Sequence, residues 1–485
     1  MKSLKMLSAA LLLLGCSAVN KPINQPLEDG QNPPLADAVL TEPGDGEVYV
    51  GLAFSGGGMR ASAFAYGLLE EMRAQSATPK DPDGILSDVR LVTGVSGGSV
   101  TAAYFGLNGP KALDGYREEY LITNAEKYMA NSPLNPLTLV RGVSGGANGR
   151  KTFGRYLDEK LFHGATFGDL RARSQITTWI NAADMANQTT FLFSPETFDA
   201  LCSDLSEFPI SDAVAASAAF PLVFSPITLE AHQGKCDYQE PDWLTAARHN
   251  PEASLAMRAQ AAALESYSDP EKVKYVKLLD GGITDNFGTT GLAIERARAR
   301  NGYAPMTAQQ AVRLKRFLFL VADAGTEKTY RWSQKLGGPG GLNLAMGIAG
   351  ASMGSASRTG YDAMRLQLEK WETDLVEFRC ALPLSQVRRL RGTTRGWNCR
   401  DVKFFVGQIS FDALDEDQQE RLNEIPTRLK LKTEQVDMAI EAGRMAARLN
   451  PDLNGFLRAA PGRNALAALK PGNGTQPRRI TPIKN

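Results

Sequence analysis

Two serines sit in the same pentapeptide. Gly94-Val95-Ser96-Gly97-Gly98 and Gly142-Val143-Ser144-Gly145-Gly146 both read G-x-S-x-G. The pattern carries chemistry only between a strand and a helix. There a glycine-permitted sharp turn lifts the serine oxygen above a sheet and aims the N–H groups of the helix terminus at it. The residues around each copy differ in this respect. Val89 to Thr93 is an apolar strand-like run, and Ser99-Val100-Thr101-Ala102-Ala103-Tyr104-Phe105 after Gly98 can bury a helix face. Ala147-Asn148-Gly149-Arg150, after Gly146, starts a helix poorly. Ser96 is therefore the favoured nucleophile, and Ser144 reads as a surface glycine-rich turn.

A serine nucleophile needs a proton acceptor and donors for a developing oxyanion. Gly56-Gly57-Gly58 follows the apolar run Val48 to Phe54 and precedes a helical pattern, so its bare N–H groups are candidate oxyanion donors, supported by Arg60. Leu278-Leu279-Asp280-Gly281-Gly282 places a carboxylate at a strand end, and the two glycines permit close approach to another loop. The chain has three histidines, His163, His232 and His249, and none follows Asp280. Asp280 is thus expected to act as base directly on Ser96. No two histidines stand at metal-ligand spacing, so no metal is expected. Gly56-x-Gly58-x-x-Ala61 also fits a dinucleotide fingerprint, but the next strand ends in Val92-Thr93-Gly94 without the acid such a site needs. No cofactor is expected.

The elements that must position these residues follow from periodicity. Residues 59–72 carry Phe64, Leu68, Leu69 and Met72 on one helical face, and further strands are predicted at 176–183, 189–194, 274–279, 315–322 and 403–410. Strands alternating with helices predict an α/β fold with a mostly parallel sheet, whose ligands bind at the strands' carboxyl ends. The stretch from Gly337 to Gly354 is rich in Gly, Ala and Met, with Gly350 and Gly354 as a small-xxx-small pair. Close helix packing is the favoured reading of it, and a membrane-active lid the alternative. Residues 433–449 read as a helix ended by Asn450-Pro451. A net charge of +1 gives no reason to expect a nucleic-acid partner.

The two ends of the chain read as addresses. Lys2 and Lys5 precede an apolar run that ends in Leu13-Leu14-Gly15-Cys16. The run is too short to span a bilayer and resembles a bacterial lipoprotein signal, which implies cleavage before Cys16 and its lipidation. Ser17 in the next position resembles an outer-membrane sorting signal. The expected organisation is a signal peptide at 1–15, a Pro- and Asn-rich tether at 16–45, a catalytic domain at 46–330, an extension packed on it at 331–450 and a basic, disordered tail at 451–485. That tail can touch anionic lipid. Export leaves Cys202, Cys236, Cys380 and Cys399 in an oxidising compartment, where three pairings are open and proximity favours Cys202–Cys236 with Cys380–Cys399.

The motifs together resemble the patatin-like phospholipase family. The resemblance rests on Ser55-Gly56-Gly57-Gly58-Met59-Arg60, Gly94 to Gly98, Ala215-Ala216-Ser217-Ala218-Ala219-Phe220-Pro221, Asp280-Gly281-Gly282 and Asp285-Asn286, in that order, over residues 48–325. It implies a three-layer α/β/α sandwich, a Ser-Asp dyad, and hydrolysis of lipid or phospholipid acyl esters through an acyl-enzyme. The alternatives are transfer of the acyl group to an alcohol, or a catalytically silent lipid-binding lipoprotein on the same scaffold. This chain departs from the pattern at Ser55, where many members have Asp, and at Ala61, where many have Gly. The interval from Ser96 to Asp280 is long, and 110–165 and 236–270 are expected to form helices or a cap over the site.

Overall fold

The computed structural model describes residues 20–28, 46–130, 146, 148–326, 331–334 and 336–459. The signal and anchor at 1–16, Ser144, and most of the expected tether and tail lie outside the described residues.

Eight strands form one sheet: β1 (Val48–Phe54), β2 (Val89–Val95), β3 (Thr177–Asp184), β4 (Thr189–Leu192), β5 (Ile227–Glu230), β6 (Tyr275–Asp280), β7 (Arg316–Asp323) and β8 (Lys403–Ser410). Seven run in the order β5–β6–β3–β2–β1–β7–β8, and β4 pairs with β3. The run from β3 to β8 is parallel throughout, while β4, β5 and β6 join by antiparallel pairing. The fold class is as predicted, and β5 is the strand that periodicity missed.

Alternation along the strands fills two separate cores, because successive side chains point to opposite faces. Val50, Leu52 and Phe54 of β1, with Leu318 and Leu320 of β7, face one core. Helices α1 (Gly58–Ser76), α2 (Gly97–Asn108) and α3 (Ile210–Ser217) contribute to that core. Tyr49 and Ala53, with Phe317, Phe319 and Val321, face the other. There α4 (Gly341–Ala381) buries Met364, Leu368, Trp371 and Leu375, one side of a helix at three- and four-residue spacing. Helices on both faces make the α/β/α sandwich.

The chain beyond residue 330 completes this architecture. It supplies β8 as a sheet edge and α4 to one face. It also supplies α5 (Thr433–Leu449), which lies on α1 in backbone contact. A Cβ on Gly67 would stand 2.0 Å from the Ile440 carbonyl oxygen, and one on Gly443 would stand 2.2 Å from that of Phe64. Arg444–Glu70 and Arg448–Glu71 ion pairs flank the contact. The first residues of the expected tail are helical. Pro451–Arg458 forms α6, with Leu453 and Phe456 fully buried. Asn450 accepts hydrogen bonds from the N–H groups of Asp452 and Leu453, so Asn450-Pro451 ends α5, as predicted, and also starts α6 as its cap and first-turn proline.

Both disulfides favoured by proximity are formed, Cys202–Cys236 and Cys380–Cys399. Their loops of 34 and 19 residues correspond to about 3 kcal/mol each in the chain-entropy model. No described helix is long and apolar enough to cross a membrane.

Candidate active site

The register of β3 brings two strand ends together. Leu91–Val95 of β2 pairs with Thr177–Asn181, and Asp280–Leu278 of β6 pairs with Ala182–Asp184. β4 occupies the opposite edge of Asn181–Asp184. β2 and β6 therefore lie end to end along one edge of β3, with their carboxyl ends facing each other between Asn181 and Ala182. Ser96 follows the first and Asp280 ends the second.

Ser96 has φ 50° and ψ −123°, a left-handed conformation that costs energy for any residue with a Cβ. Its neighbours hold it there. The Ser96 N–H donates to Ser217 Oγ at 2.8 Å, and its carbonyl accepts from the N–H and hydroxyl of Ser99. The Ser217 hydroxyl in turn donates to the Asn181 carbonyl at 2.6 Å. Two residues further on, the Ala219 carbonyl accepts the Asp280 N–H at 3.0 Å. The end of α3 thus fastens both strand termini. Sequence reasoning noted Ser217 and Ala219 only within a shared pattern. A lone serine amid Ala215 to Ala219 was the available signal, and its partners are distant in the chain.

Asp280 is buried, and burial pushes its carboxyl up from 3.8 to about 6. A hydrogen bond from the Gly282 N–H at 2.9 Å and the Ser96 hydroxyl act the other way, since both favour the charged form. The two glycines after it are required by crowding. A Cβ on Gly281 would meet the Asn181 carbonyl oxygen at 2.3 Å, and one on Gly282 would meet Met353 Cε at 2.6 Å.

The glycine loop presses on the start of α2. A Cβ on Gly97 would lie 1.9 Å from the Gly58 carbonyl oxygen, and one on Gly98 would lie 2.4 Å from that of Ser55. A Cβ on Gly56 would lie 3.4 Å from Ser96 Cβ, which puts this loop beside the serine side chain. Gly57 (φ 145°) and Gly58 (φ 62°) need backbone freedom as well. Among the described residues no acceptor takes the N–H of Gly57, Gly58 or Gly97. These three donors stand at two helix N-termini beside Ser96.

Two of the expected oxyanion residues are committed elsewhere. The Gly56 N–H donates to Asn286, to both its carbonyl and Oδ1 at 3.2 Å. Arg60 is buried and donates to the carbonyls of Ala324 and Ile425 and to Thr427 Oγ1. Burial lowers its pKa to about 10, against the pull of Asp323. Both residues position the loop rather than facing Ser96. Ser55 does likewise: its hydroxyl accepts the Ala324 N–H at 2.9 Å. Asn286 links three elements, because its Nδ2 also donates to Ser357 of α4. Asp285 accepts the N–H groups of Phe287, Gly288 and Thr290 and so sets the turn after the aspartate.

The long insertions form helices, among them Asp242–His249 and Leu255–Ser268. The side chain over the Asp280 loop is nonetheless Met353 of α4. Gly146, the described end of the second pentapeptide, lies against Phe224 and Ser225.

The contact at Gly97 gives a direct prediction. Gly97→Ala places a methyl against backbone, which no rotamer can relieve. We expect a loss of about 1–3 kcal/mol of stability and at least a hundredfold loss of any Ser96-dependent turnover, measured by thermal unfolding and esterase kinetics. Unchanged kinetics would show that the two loops do not meet as described.

Residues 52–293 match the family model described as patatin-like phospholipase. Human GIVD cytosolic phospholipase A2 is similar at 12% identity, with a TM-score of 0.38 over 87% of this chain and 65% of that one. VipD from Legionella pneumophila is similar at 13% identity, with a TM-score of 0.31 over 92% of this chain and 73% of that one. This chain thus spans less than two thirds of the length of the human enzyme. No curated protein sequence matches it. Through residues 52–293, which hold Ser96, Asp280 and the glycine loop, the chain belongs to the patatin-like phospholipase family.

Proposed function

We propose that this protein is a membrane-anchored serine lipid acyl hydrolase of the phospholipase A, lysophospholipase or carboxylesterase type. The observation that carries the reading is the meeting of two strand ends, which puts a buried carboxylate with a raised pKa against a strained serine. Asp280 accepts the Ser96 proton as Ser96 Oγ attacks the ester carbonyl carbon. The N–H groups of Gly57, Gly58 and Gly97 receive the oxyanion. Collapse of the tetrahedral intermediate breaks the bond to the alcohol oxygen, which takes the proton from Asp280. A water then attacks the acyl-enzyme, Asp280 again accepting a proton and returning it to Ser96 as the fatty acid leaves. Membership of the phospholipase family supports a lipid acyl ester as substrate. Lipidated Cys16 is proposed to hold the protein at the bacterial envelope, where that substrate is found.

The test is covalent. A fluorophosphonate probe should label the purified protein once, and mass mapping should place the label on Ser96. Labelling of another serine, or none while the protein is folded, would overturn the assignment.

A further inference from the structure

The amino-terminal half of α4 does not look like a surface made for water. Its carboxyl-terminal half is ordinary: Met364, Leu368, Trp371 and Leu375 are buried, and Arg365, Glu369 and Lys370 face solvent. From Leu336 to Ser357, by contrast, the chain carries no charged residue. Leu336 is fully exposed, and Leu344, Met346 and Ile348 are 47%, 38% and 63% exposed. Leu344 and Ile348 are four apart and so share one side of the helix. The close packing expected at the small residues is absent at two of them. A Cβ on Gly354 would meet only Arg358 of the same helix, and one on Gly347 would meet nothing nearer than Trp332 at 4.0 Å.

The next turns of this helix are fixed to the candidate active site. Ser352 Oγ donates to the Ile283 carbonyl at 2.9 Å, Ser357 Oγ accepts from Asn286 Nδ2 at 3.0 Å, and Met353 covers Gly282. Ile348 lies one turn from Ser352, about 6 Å along the axis. The exposed apolar side therefore stands at the rim of the Asp280 loop.

The flanking composition says what would cover it. From residue 328 to residue 361 there are four cations, Lys328, Arg331, Lys335 and Arg358, and no acid. Tyr330 and Trp332 fall in the same stretch. An uncharged apolar segment bordered by Trp, Tyr, Lys and Arg matches the chemistry of a bilayer interface: hydrocarbon under the apolar side chains, anionic headgroups against the cations.

We propose that the segment from Leu336 to Ile348 seats the catalytic domain on an anionic phospholipid layer, with the Ser96–Asp280 site at the level of the headgroups. This rests on the proposed hydrolase reading for its substrate, but the docking surface is testable without it. The full chain carrying Cys16→Ser removes the proposed lipid anchor. In that background Leu344→Glu with Ile348→Glu is compared with the parent and with Leu384→Glu, an exposed leucine elsewhere. The readouts are flotation with vesicles of phosphatidylcholine and phosphatidylglycerol, hydrolysis of those vesicles, and hydrolysis of a soluble p-nitrophenyl ester.

The double variant should lose at least tenfold in vesicle binding and vesicle hydrolysis, keep soluble-ester turnover within twofold, and keep the parent's melting temperature. Leu384→Glu should match the parent in all three. Vesicle binding unchanged in the double variant would overturn the proposal. So would loss of a parent dimer with vesicle binding unchanged, which would assign the face to a second copy of the chain. If the parent floats with vesicles through this face yet cleaves neither substrate, the hydrolase reading fails while the docking surface stands.

Discussion

Ser96→Ala is expected to abolish ester turnover, by at least about 10⁴-fold, while Ser144→Ala retains it. The argument is geometric before it is chemical. Both serines occupy the same pentapeptide, and Ser96 stands at the end of a strand that abuts a second strand ending in a carboxylate. Ser96 has the strained backbone of a nucleophile turn, its amide fixed by Ser217. Alanine keeps that amide and the helix behind it, so the fold should survive with an unchanged melting temperature. What disappears is the oxygen proposed to form the acyl-enzyme. The three N–H donors at Gly57, Gly58 and Gly97 remain, and any residual rate above water measures them. The check is kcat/KM on a short p-nitrophenyl ester for both variants. Full activity in Ser96→Ala with loss in Ser144→Ala would reverse the assignment.

What could be read in advance, and what could not, divides by how far a residue's partners lie along the chain. Gly97, Gly98 and Gly281 were legible because backbone crowding leaves its mark as glycine, whatever the crowding neighbour. The strands β1, β2, β3, β6, β7 and β8 were legible because each needs a run of apolar residues that local spacing reveals. Their order was not. That β6 turns antiparallel and meets β2 head-on is a fact of topology, and it creates the site. The loop donors show the same divide. Gly56, Gly57 and Gly58 are chemically identical in sequence, yet Asn286 takes the first N–H and leaves the other two. Arg60 looked like a cation beside an oxyanion, but its acceptors at Ile425 and Thr427 lie more than 360 residues away in the chain. Ser217 and Met353 act through long-range contacts that carry no periodicity at all. Asn450-Pro451 ends α5 as read, but the same dipeptide also begins the next helix, whose Leu453 and Phe456 find their buried partners only through the fold.

Asp280→Asn should do two opposite things: abolish turnover and stabilise the fold at neutral pH. The carboxyl is raised from 3.8 to about 6, with burial the largest cause. A raised carboxylate pKa means that the folded state holds the proton more tightly than the unfolded chain. Folding is then unpenalised below the unfolded pKa, and the penalty grows as pH rises between the two values. Above about pH 6 it is complete, at about 3 kcal/mol for a shift of this size. Asparagine carries no charge, and its side-chain oxygen can still accept the Gly282 N–H. The variant should therefore gain up to that amount at pH 8, by urea unfolding, and nothing at pH 4. A gain that did not vary with pH would have some other cause. The kinetics follow from the same carboxyl. As the base it must be ionised, so kcat/KM of the native protein should fall tenfold per pH unit below about 6 and level off above it. A pH profile flat down to 4.5 would mean that Asp280 is not the base, whatever its variant does to turnover. If both results hold, the fold is destabilised by the very ionisation on which the proposed reaction depends.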